Sequence, residues 1–279
     1  MSINLIIKSI INFANDEVEL QTDSSNYNNR IQNMGNSFEN YVKELFLDET
    51  NYKTQQKIEK FAEIFSWQGS ANNPPDLILR NSFAIEVKKK ESKKGSLALN
   101  SSYPKNSIFS EDSKLSRDCS IIDGGSWNKD LFYYIVEASN KKIKSLFIID
   151  GKCYCADKQV YSKIFDNIKK EICEIKDLEF RETKELGKIK DIDPYKITDL
   201  RVRSMWNIQT PPTYLINYID NFPKEYKLCC ILEKEKYESL DNFLKQALVT
   251  VTNISIVDLC LPNPNNLSIL KNIVMIKLL

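Results

Sequence analysis

The stretch PPDLILRNSFAIEVKKKES, from Pro74 to Ser92, decides the fold because it predicts a β-hairpin. Two apolar segments, 76–80 and 83–89, are rich in residues that favour strands. A short polar break at Asn81-Ser82 separates them, and the chain is expected to turn there. Lys88, Lys89 and Lys90 follow Val87 at once, so a buried strand is expected to lead directly into a basic surface.

Two carboxylates and a lysine are expected to meet at the open end of this hairpin. Glu86 and Lys88 share one face of the second strand because side chains alternate along a strand, and Asp76 heads the first strand. Two carboxylates that face one point repel each other unless a cation lies between them. Such oxygen ligands suit Mg²⁺, which also binds substrate phosphates. The pattern predicts metal-assisted chemistry on a phosphate, and an ordinary hairpin with charged ends is the alternative.

Lys88 is expected to act as a cation and not as a general base. A free lysine has a pKa of about 10.4, which would have to fall by several units before the amine could accept a proton. An ammonium group can instead orient a water molecule and stabilise developing negative charge. The Glu-x-Lys spacing alone is unspecific, because the chain repeats it at Glu91, Glu174, Glu182 and Glu225. The copy at Glu86 differs in lying within an apolar strand that follows a Pro-Asp pair.

Composition excludes several classes of enzyme. The 279 residues include no histidine, which removes Ser-His-Asp and Cys-His catalysis and histidine-ligated zinc. No glycine-rich phosphate-binding loop is present. The net charge is only +1, so a nucleic-acid partner would have to bind to local patches. Seven cysteines without a CxxC pair favour a reduced, cytoplasmic protein, and no segment is apolar enough to predict a transmembrane helix.

Helical and strand patterns alternate outward from the hairpin. An apolar stripe through Phe38, Tyr41 and Leu45 predicts a helix, and the start of the chain predicts a short amphipathic one. The fold class is therefore α/β or α+β, a sheet covered by helices. Further helices are predicted over 53–64, 127–138, 160–172 and 237–248, strands at 65–67, 145–150, 227–234 and 255–260, and a long irregular region over 92–125.

Three blocks of sequence together resemble a known family. Pro75-Asp76, then nine intervening residues and Glu86-Val87-Lys88, resembles the PD-(D/E)XK nuclease signature. With LALNSSYPK at 97–105 and TDLRVRSMW at 198–206, it is similar to the NgoPII-type restriction endonucleases. The resemblance implies one endonuclease domain over 1–279 with a restriction-endonuclease-like mixed sheet. Its catalytic core would span about 30–175, its DNA-recognition elements about 92–127 and 195–215, and a C-terminal α/β subregion about 220–279.

The same resemblance implies an activity and partners. It implies Mg²⁺-dependent hydrolysis of both strands of double-stranded DNA at a short palindrome, with GGCC as the suggested site. A two-fold homodimer is the simplest way to cut a palindrome. A bacterial, cytoplasmic enzyme paired with a cognate DNA methyltransferase would follow. A PD-(D/E)XK nuclease for repair or junction resolution, and a non-catalytic DNA-binding protein, remain alternatives.

Nucleases of this kind often take a further acidic residue from the helix before the sheet. At about 100° per residue, Glu39 lies at the border of the apolar stripe centred near Phe38, and Glu44 points towards solvent. Glu39 is thus the candidate third carboxylate and metal ligand beside Asp76 and Glu86. An edge-of-helix surface glutamate is the alternative.

Two segments are candidates for DNA contacts. Between Arg80 and Lys105 there are seven basic and two acidic residues, a local net charge of +5. The lysines of this patch would contact phosphates, and short polar side chains after it could contact phosphates or bases. The candidates are Lys89, Lys90, Lys93, Lys94, Asn100, Ser101, Ser102, Tyr103 and, for phosphate, Lys105.

Arg201 and Arg203 form the second candidate segment. On a strand they share a face, and the guanidinium fork pairs with guanine in the major groove. The alternative is that both arginines form salt bridges with a nearby aspartate, Asp191, Asp193 or Asp199. Trp206 is expected to belong to the core.

Overall fold

A computed structural model shows a mixed β-sheet at the centre of the molecule. The structure describes residues 3–15, 30–49, 51–69, 74–90, 95–139, 142–176, 178, 180–181, 183 and 185–279, without the side chains of 30–36 and 139.

Where it is described, the first half of the chain supplies four helices and the predicted hairpin. Its elements are α1 (Asn4–Asn15), α2 (Arg30–Glu44), α3 (Thr54–Ile64), β1 (Phe65–Trp67), β2 (Leu77–Leu79), β3 (Ala84–Lys90), β4 (Ser96–Asn100), β5 (Ser107–Phe109), α4 (Arg117–Ser120), a 3-10 turn (Ile122–Gly124), β6 (Asn128–Ser139) and β7 (Lys142–Asp150).

The second half adds further strands to the sheet and two small sheets beside it. Its elements are α5 (Gly151–Tyr154), α6 (Lys158–Cys173), β8 (Phe180–Arg181), β9 (Gly187–Ile189), β10 (Leu200–Val202), β11 (Trp206–Gln209), α7 (Pro211–Leu215), β12 (Leu228–Glu233), α8 (Lys234–Glu238), α9 (Asn242–Val249), β13 (Ile254–Asn263) and β14 (Asn266–Leu278).

The main sheet has the order β1-β2-β3-β6-β7-β12-β14-β13, with β5 paired to β6. Strand β3 runs antiparallel to β2 and parallel to β6, and β7 runs parallel to β12. The other pairs along this order are antiparallel. In the described residues β8, β9 and β10 form a three-stranded sheet, and β4 pairs with β11 alone. The predicted fold class, a mixed sheet with flanking helices, is confirmed.

Both faces of the sheet are covered, so its central strands contain continuous apolar runs. On β6, Phe132 and Tyr134 point into a core shared with α1 and α2, and Leu131 and Tyr133 point into a second core shared with β4, α5 and α7. The same alternation runs along β7 and β12. Burial on two faces is what gives LFYYIV and SLFIID their continuous apolar sequences.

The prediction of a helix over 127–138 is wrong. This segment is strand β6, paired with β3 on one side and β7 on the other. Leu131 and Ile135 are four residues apart, as on a helix, but they lie in the second core together with Tyr133 between them. A continuous apolar run cannot distinguish a doubly buried strand from a buried helix by spacing alone.

The other predicted elements are present, with one division. Helices α2, α3 and α6 and strands β1, β7, β12 and β13 occupy the expected segments, and the irregular region over 92–125 contains only short elements where it is described. The helix predicted over 237–248 is split into α8 and α9, because Asp241 caps the second helix by accepting a hydrogen bond from Phe243 N–H at 2.8 Å. None of the helices that the structure describes could cross a membrane.

Candidate active site

Asp76 is fixed by the two strands that surround it. Val87 N–H donates a 2.7 Å hydrogen bond to Asp76 Oδ2, which holds the carboxylate against β3. Trp67 Nε1 donates to the carbonyl of Pro75 at 3.0 Å, so β1 positions the preceding residue. Gly69 passes so close that a Cβ there would lie 2.7 Å from the Asp76 carbonyl oxygen, and its φ of +76° also favours glycine. The backbone around Asp76 is therefore closely constrained.

The hairpin turn is anchored by a buried ion pair. Asn81 has a φ of +51°, and its N–H donates to Asp123 Oδ2 at 3.1 Å. Lys129 Nζ lies 2.7 Å from the same carboxylate oxygen and donates to the Ser82 carbonyl at 3.0 Å. Since both charged side chains are almost fully buried, the turn is held by charge-assisted bonds in a weakly screened environment. This fixes the register of β2 against β3.

Glu86 and Lys88 project from the same face of β3, as predicted. Their side chains form an ion pair with Lys88 Nζ 2.5 Å from Glu86 Oε1, and they are 14% and 20% exposed. Ile85 and Val87 point the other way, into the first core. The pair is thus half-buried at the wall of the sheet, with a path to solvent.

The charges of this site raise two pKa values. Desolvation, and next the negative charge of Glu86, raise the pKa of Asp76 to about 8, although Lys88 acts in the opposite direction. For Lys88, burial alone would lower the pKa, but Glu86 and Asp76 raise it above its usual value. Lys88 is therefore an ammonium group at neutral pH. This supports an electrostatic role and leaves no free base at this position.

Helix α2 brings Glu39 to the same site. The helix packs against β3 through the predicted stripe that contains Phe38 and Tyr41. Burial raises the pKa of Glu39, which also interacts electrostatically with Lys88 and Glu86. Glu44, in contrast, pairs with Lys57 of α3 at 2.6 Å. The structure thus brings Glu39 together with the hairpin residues and directs Glu44 elsewhere, as the helical angles predicted.

Lys43 was missed in the sequence. It follows Glu39 by one helical turn, and its ammonium lies 5.7 Å from the centre of the Phe61 ring. Burial lowers its pKa, against the effect of the Glu39 charge. The i, i+4 spacing from Glu39 could have indicated that Lys43 lies near this carboxylate. That spacing became informative only once Glu39 was known to lie at the site.

The acidic residues of this site could supply some, but not all, of the ligands of a divalent metal ion. Glu39 and Glu86 each raise the pKa of Asp76, and a bound cation would relieve that repulsion. In the described ranges no three acidic or cysteine side chains are arranged as a complete metal-binding group. Two carboxylates with water and phosphate are sufficient for Mg²⁺, which seldom uses an all-protein cage.

The predicted basic patch is only partly exposed. Lys90 pairs with Glu137 of β6 at 2.7 Å. Lys105 lies in the interior, where its ammonium is 2.5 Å from Asp112 and both side chains are less than 10% exposed. The expected phosphate contact by Lys105 does not fit this enclosed position. Lys89 lies on β3 and is half-buried, and Lys93 and Lys94 lie outside the described residues.

The segment of Asn100 to Tyr103 begins at the end of β4. Asn100 has a φ of +52°, Ser101 is exposed and Ser102 is half-buried. Tyr103 is stacked on Tyr161 with 5.9 Å between ring centres, and both rings meet Trp206 edge-on. Tyr103 and Trp206 therefore pack together, which agrees with the expected core role of Trp206. Strand pairing of β4 with β11 joins the two predicted DNA-binding segments, a contact that neither segment indicated alone.

Arg201 and Arg203 share one acidic partner. Arg201 Nη2 lies 2.7 Å from Glu185, and Arg203 Nε lies 2.8 Å from the same oxygen. The partner is a glutamate, not one of the nearby aspartates. Each arginine side chain is still 53% exposed, so these ion pairs are weak and solvent-screened.

Sequence comparisons place this chain in a family. The model of the NgoPII restriction endonuclease family matches residues 4–261. The type II restriction enzyme NgoPII of Neisseria gonorrhoeae is 42% identical over 271 residues, which is 96% of each chain. No solved structure matches the chain. A family match over nearly the whole chain includes the hairpin, α2 and both small sheets, and we conclude that the chain belongs to the NgoPII restriction endonuclease family and is a type II restriction enzyme.

Proposed function

We propose that this enzyme hydrolyses both strands of double-stranded DNA at a short palindrome, with Asp76, Glu86 and Lys88 as a PD-(D/E)XK site that binds Mg²⁺. The observation that carries the proposal is the convergence of these three side chains, where burial and, next, the negative charge of Glu86 raise the pKa of Asp76 to about 8. An excess of buried carboxylates is unfavourable by itself, and it favours a site that recruits a cation.

The carboxylates would hold the metal. Asp76 and Glu86 would be its protein ligands, and Glu39 would complete the set directly or through a water molecule. When bound, Mg²⁺ lowers the pKa of a water molecule and offsets negative charge on the phosphate. The Val87 N–H bond keeps Asp76 in place, so the carboxylate needs little rearrangement to bind a cation.

Lys88 would act on the phosphate side of the site. Its pKa lies above the usual lysine value, so it remains charged and can donate hydrogen bonds to a phosphate oxygen or to the attacking water. It neutralises part of the charge that develops as the phosphodiester is hydrolysed. In the free protein this ammonium is held by Glu86, which would keep it at the position where the phosphate is to bind.

DNA would reach this site across β3 and the segments beyond it. Lys89, Lys90, Lys93 and Lys94 would contact phosphates, and Asn100, Ser101 and Ser102 would approach the duplex from the end of β4. Arg201 and Arg203 remain candidates because their side chains are half exposed. Tyr103 and Lys105 would support this surface from below. The Tyr103 ring is stacked on Tyr161, and the Lys105 ammonium is enclosed beside Asp112.

The proposed palindrome implies further partners. A homodimer would place one active site on each strand. GGCC is the sequence to test first, on the basis of the family. A host that makes such an enzyme needs a cognate methyltransferase to protect its own sites.

Plasmid cleavage tests the proposed site. Lys88→Ala is expected to lower the cleavage rate in Mg²⁺ on the order of 10²- to 10³-fold, as for loss of one preorganised charge-stabilising group. Lys234→Ala is the matched control, because this lysine forms a solvent-exposed pair with Asp258 at 2.7 Å. Equal cleavage by wild type and Lys88→Ala, with both proteins folded, would refute the site.

Digestion of a sequenced DNA tests the rest of the proposal. Discrete fragments whose mapped ends share one palindrome support it, and the same ends report the stagger of the cut. Structure-dependent nicking without a common sequence would contradict it. Sedimentation of the protein with and without a duplex measures the proposed dimer.

A further inference from the structure

The small sheet of β4 and β11, which we call the ribbon, has one buried and one exposed face. Leu97 and Leu99 of β4 lie in the second core, and Trp206 and Ile208 of β11 pack against it. The other face is exposed and carries short or neutral polar side chains. These are Ser96, Ala98 and Asn100 on β4 and Asn207 and Gln209 on β11.

The pairing of the two strands sets the pattern of this exposed face. Asn207 lies opposite Ala98, and Gln209 lies opposite Ser96, so each long carboxamide has a small neighbour. Within the described part of the chain, neither carboxamide forms a hydrogen bond or belongs to an ion pair. Both groups are therefore available to a ligand in solution, without the cost of breaking an existing bond.

The ribbon is rigidly mounted. Thr210 N–H donates to the Gly95 carbonyl at 2.8 Å, and the Tyr154 hydroxyl donates to the Gln209 carbonyl. At the other end Trp206 is enclosed by the Tyr103 and Tyr161 rings. A fixed backbone with free side chains allows contacts of defined geometry.

The ribbon also adjoins the proposed active site. Leu99 and Ser102 line a small cavity together with Glu86, which carries the proposed chemistry. A two-stranded ribbon fits the major groove of B-DNA, which is about 12 Å wide. Because the ribbon face carries no charge, it is better suited to base edges than to phosphates.

We infer that the ribbon enters the major groove and that Asn207 and Gln209 determine sequence specificity by hydrogen bonding to base edges. A carboxamide offers a donor beside an acceptor. This matches N7 and N6 of adenine, or O6 and N4 across a G·C pair, so each residue selects a base pair. The inference rests on the proposed function, and it assigns base reading to the two ribbon carboxamides in addition to the DNA contacts proposed for Arg201 and Arg203, which pair with Glu185 in the free protein.

Selection of bound duplexes tests this inference without requiring cleavage. Wild type, Asn207→Ala and Gln209→Ala would each be offered a randomised duplex pool with Ca²⁺, a hard cation that also binds oxygen ligands. Each variant is expected to lose preference at one position of each half-site, with discrimination there falling on the order of 5- to 150-fold. Asn217→Ala and Gln246→Ala, which remove exposed amides elsewhere, are matched controls expected to keep the wild-type motif.

The salt dependence of binding separates base reading from phosphate contact. Because both substitutions remove neutral groups, the slope of log Kd against log salt is expected to stay at the wild-type value. A reduced slope, an unchanged motif in both variants, or the absence of any motif for wild type would overturn the inference. A wild-type motif without cleavage in Mg²⁺ would refute the proposed function alone and leave the ribbon assignment intact.

Discussion

Two groups of buried acids and lysines lie on the same sheet and differ in charge. The hairpin cluster contains three carboxylates, Glu39, Asp76 and Glu86, around Lys88, and Lys43 interacts with Glu39. The balanced cluster, at the ends of β6, β7 and β12, contains three carboxylates and three lysines. Its members are Asp130, Asp150, Glu233, Lys152, Lys236 and Lys271.

The two clusters have opposite electrostatic outcomes. In the balanced cluster, lysines lower the pKa values of Asp130 and Glu233 even though burial acts in the other direction. Lys236 Nζ reaches Asp130 at 2.8 Å and Asp150 at 2.5 Å, and only the fully buried Asp150 has a raised pKa. In the hairpin cluster both Glu39 and Asp76 have raised pKa values. Compensated charge stabilises a fold, and uncompensated charge marks a place where a ligand is expected to bind.

Removal of Lys236 should have the largest effect on stability. Lys236→Ala leaves the buried carboxylate of Asp150 without its cation, which is expected to cost about 3–5 kcal/mol in unfolding free energy. The cleavage rate per folded molecule should stay near the wild-type value. Lys152→Ala is the matched control, since its half-exposed pair with Asp130 is worth about 1 kcal/mol or less. Urea titrations measure both, and similar losses for the two variants would contradict the prediction.

Metal binding should have the second-largest effect on stability, and it should distinguish the two clusters. Mg²⁺ at about 100 times its Kd is expected to stabilise the wild type by about 2.7 kcal/mol, because it binds the folded state. The stabilisation should grow as the pH rises towards 8, since Asp76 must lose its proton to bind the ion. Asp76→Asn is expected to abolish the effect and Asp130→Asn to retain it. Equal thermal shifts in these two variants would show that the ion binds elsewhere.

Without metal, pH should act in opposite directions on Asp76 of the hairpin cluster and Asp130 of the balanced cluster. Asp76 has a higher pKa in the folded protein than in the unfolded chain, so its contribution to stability is present at low pH. That contribution is lost as the pH rises from about 3.9 towards about 8, with a slope of at most about 1.4 kcal/mol per pH unit. Asp130 has a lowered pKa, so its contribution is present above about 3.9 and is lost below it. Asp76→Asn should flatten the first slope and leave the acid loss unchanged.

Substitution of Lys90 should have the smallest effect. It lies on β3 two residues after Lys88, but it is matched one-to-one by Glu137. Lys90→Ala should change the unfolding free energy by about 1 kcal/mol or less and lower the salt slope of DNA binding by about 0.9 if it contacts one phosphate. A loss of cleavage as large as that of Lys88→Ala would mean that the loss depends on where a lysine lies along β3, and not on whether its neighbours carry uncompensated charge.

The hairpin and its cluster were predictable from the sequence because their signals are local. Turn residues and strand alternation brought Asp76 and Glu86 together, and helical angles selected Glu39 once the family resemblance had pointed to the preceding helix. Predictions from the sequence were wrong for features that depend on contacts between distant segments of the chain. Strand β6 resembled a helix until both its neighbours were known, and Lys105 appeared in a basic patch although Asp112 encloses it. The pairing of β4 with β11 depends on the packing of Leu97 and Ile208 in a core built from other segments.

The ribbon has a consequence for folding. Its strands lie about a hundred residues apart in the chain, and closing so long a loop is entropically costly and slow. The hairpin that carries the proposed active site is local and can form early, whereas the ribbon requires the intervening segments to be in place. We therefore expect partly folded enzyme to assemble the proposed cutting residues before the proposed base-reading face. If the ribbon reads bases, specificity could not be transferred to a relative as one contiguous segment.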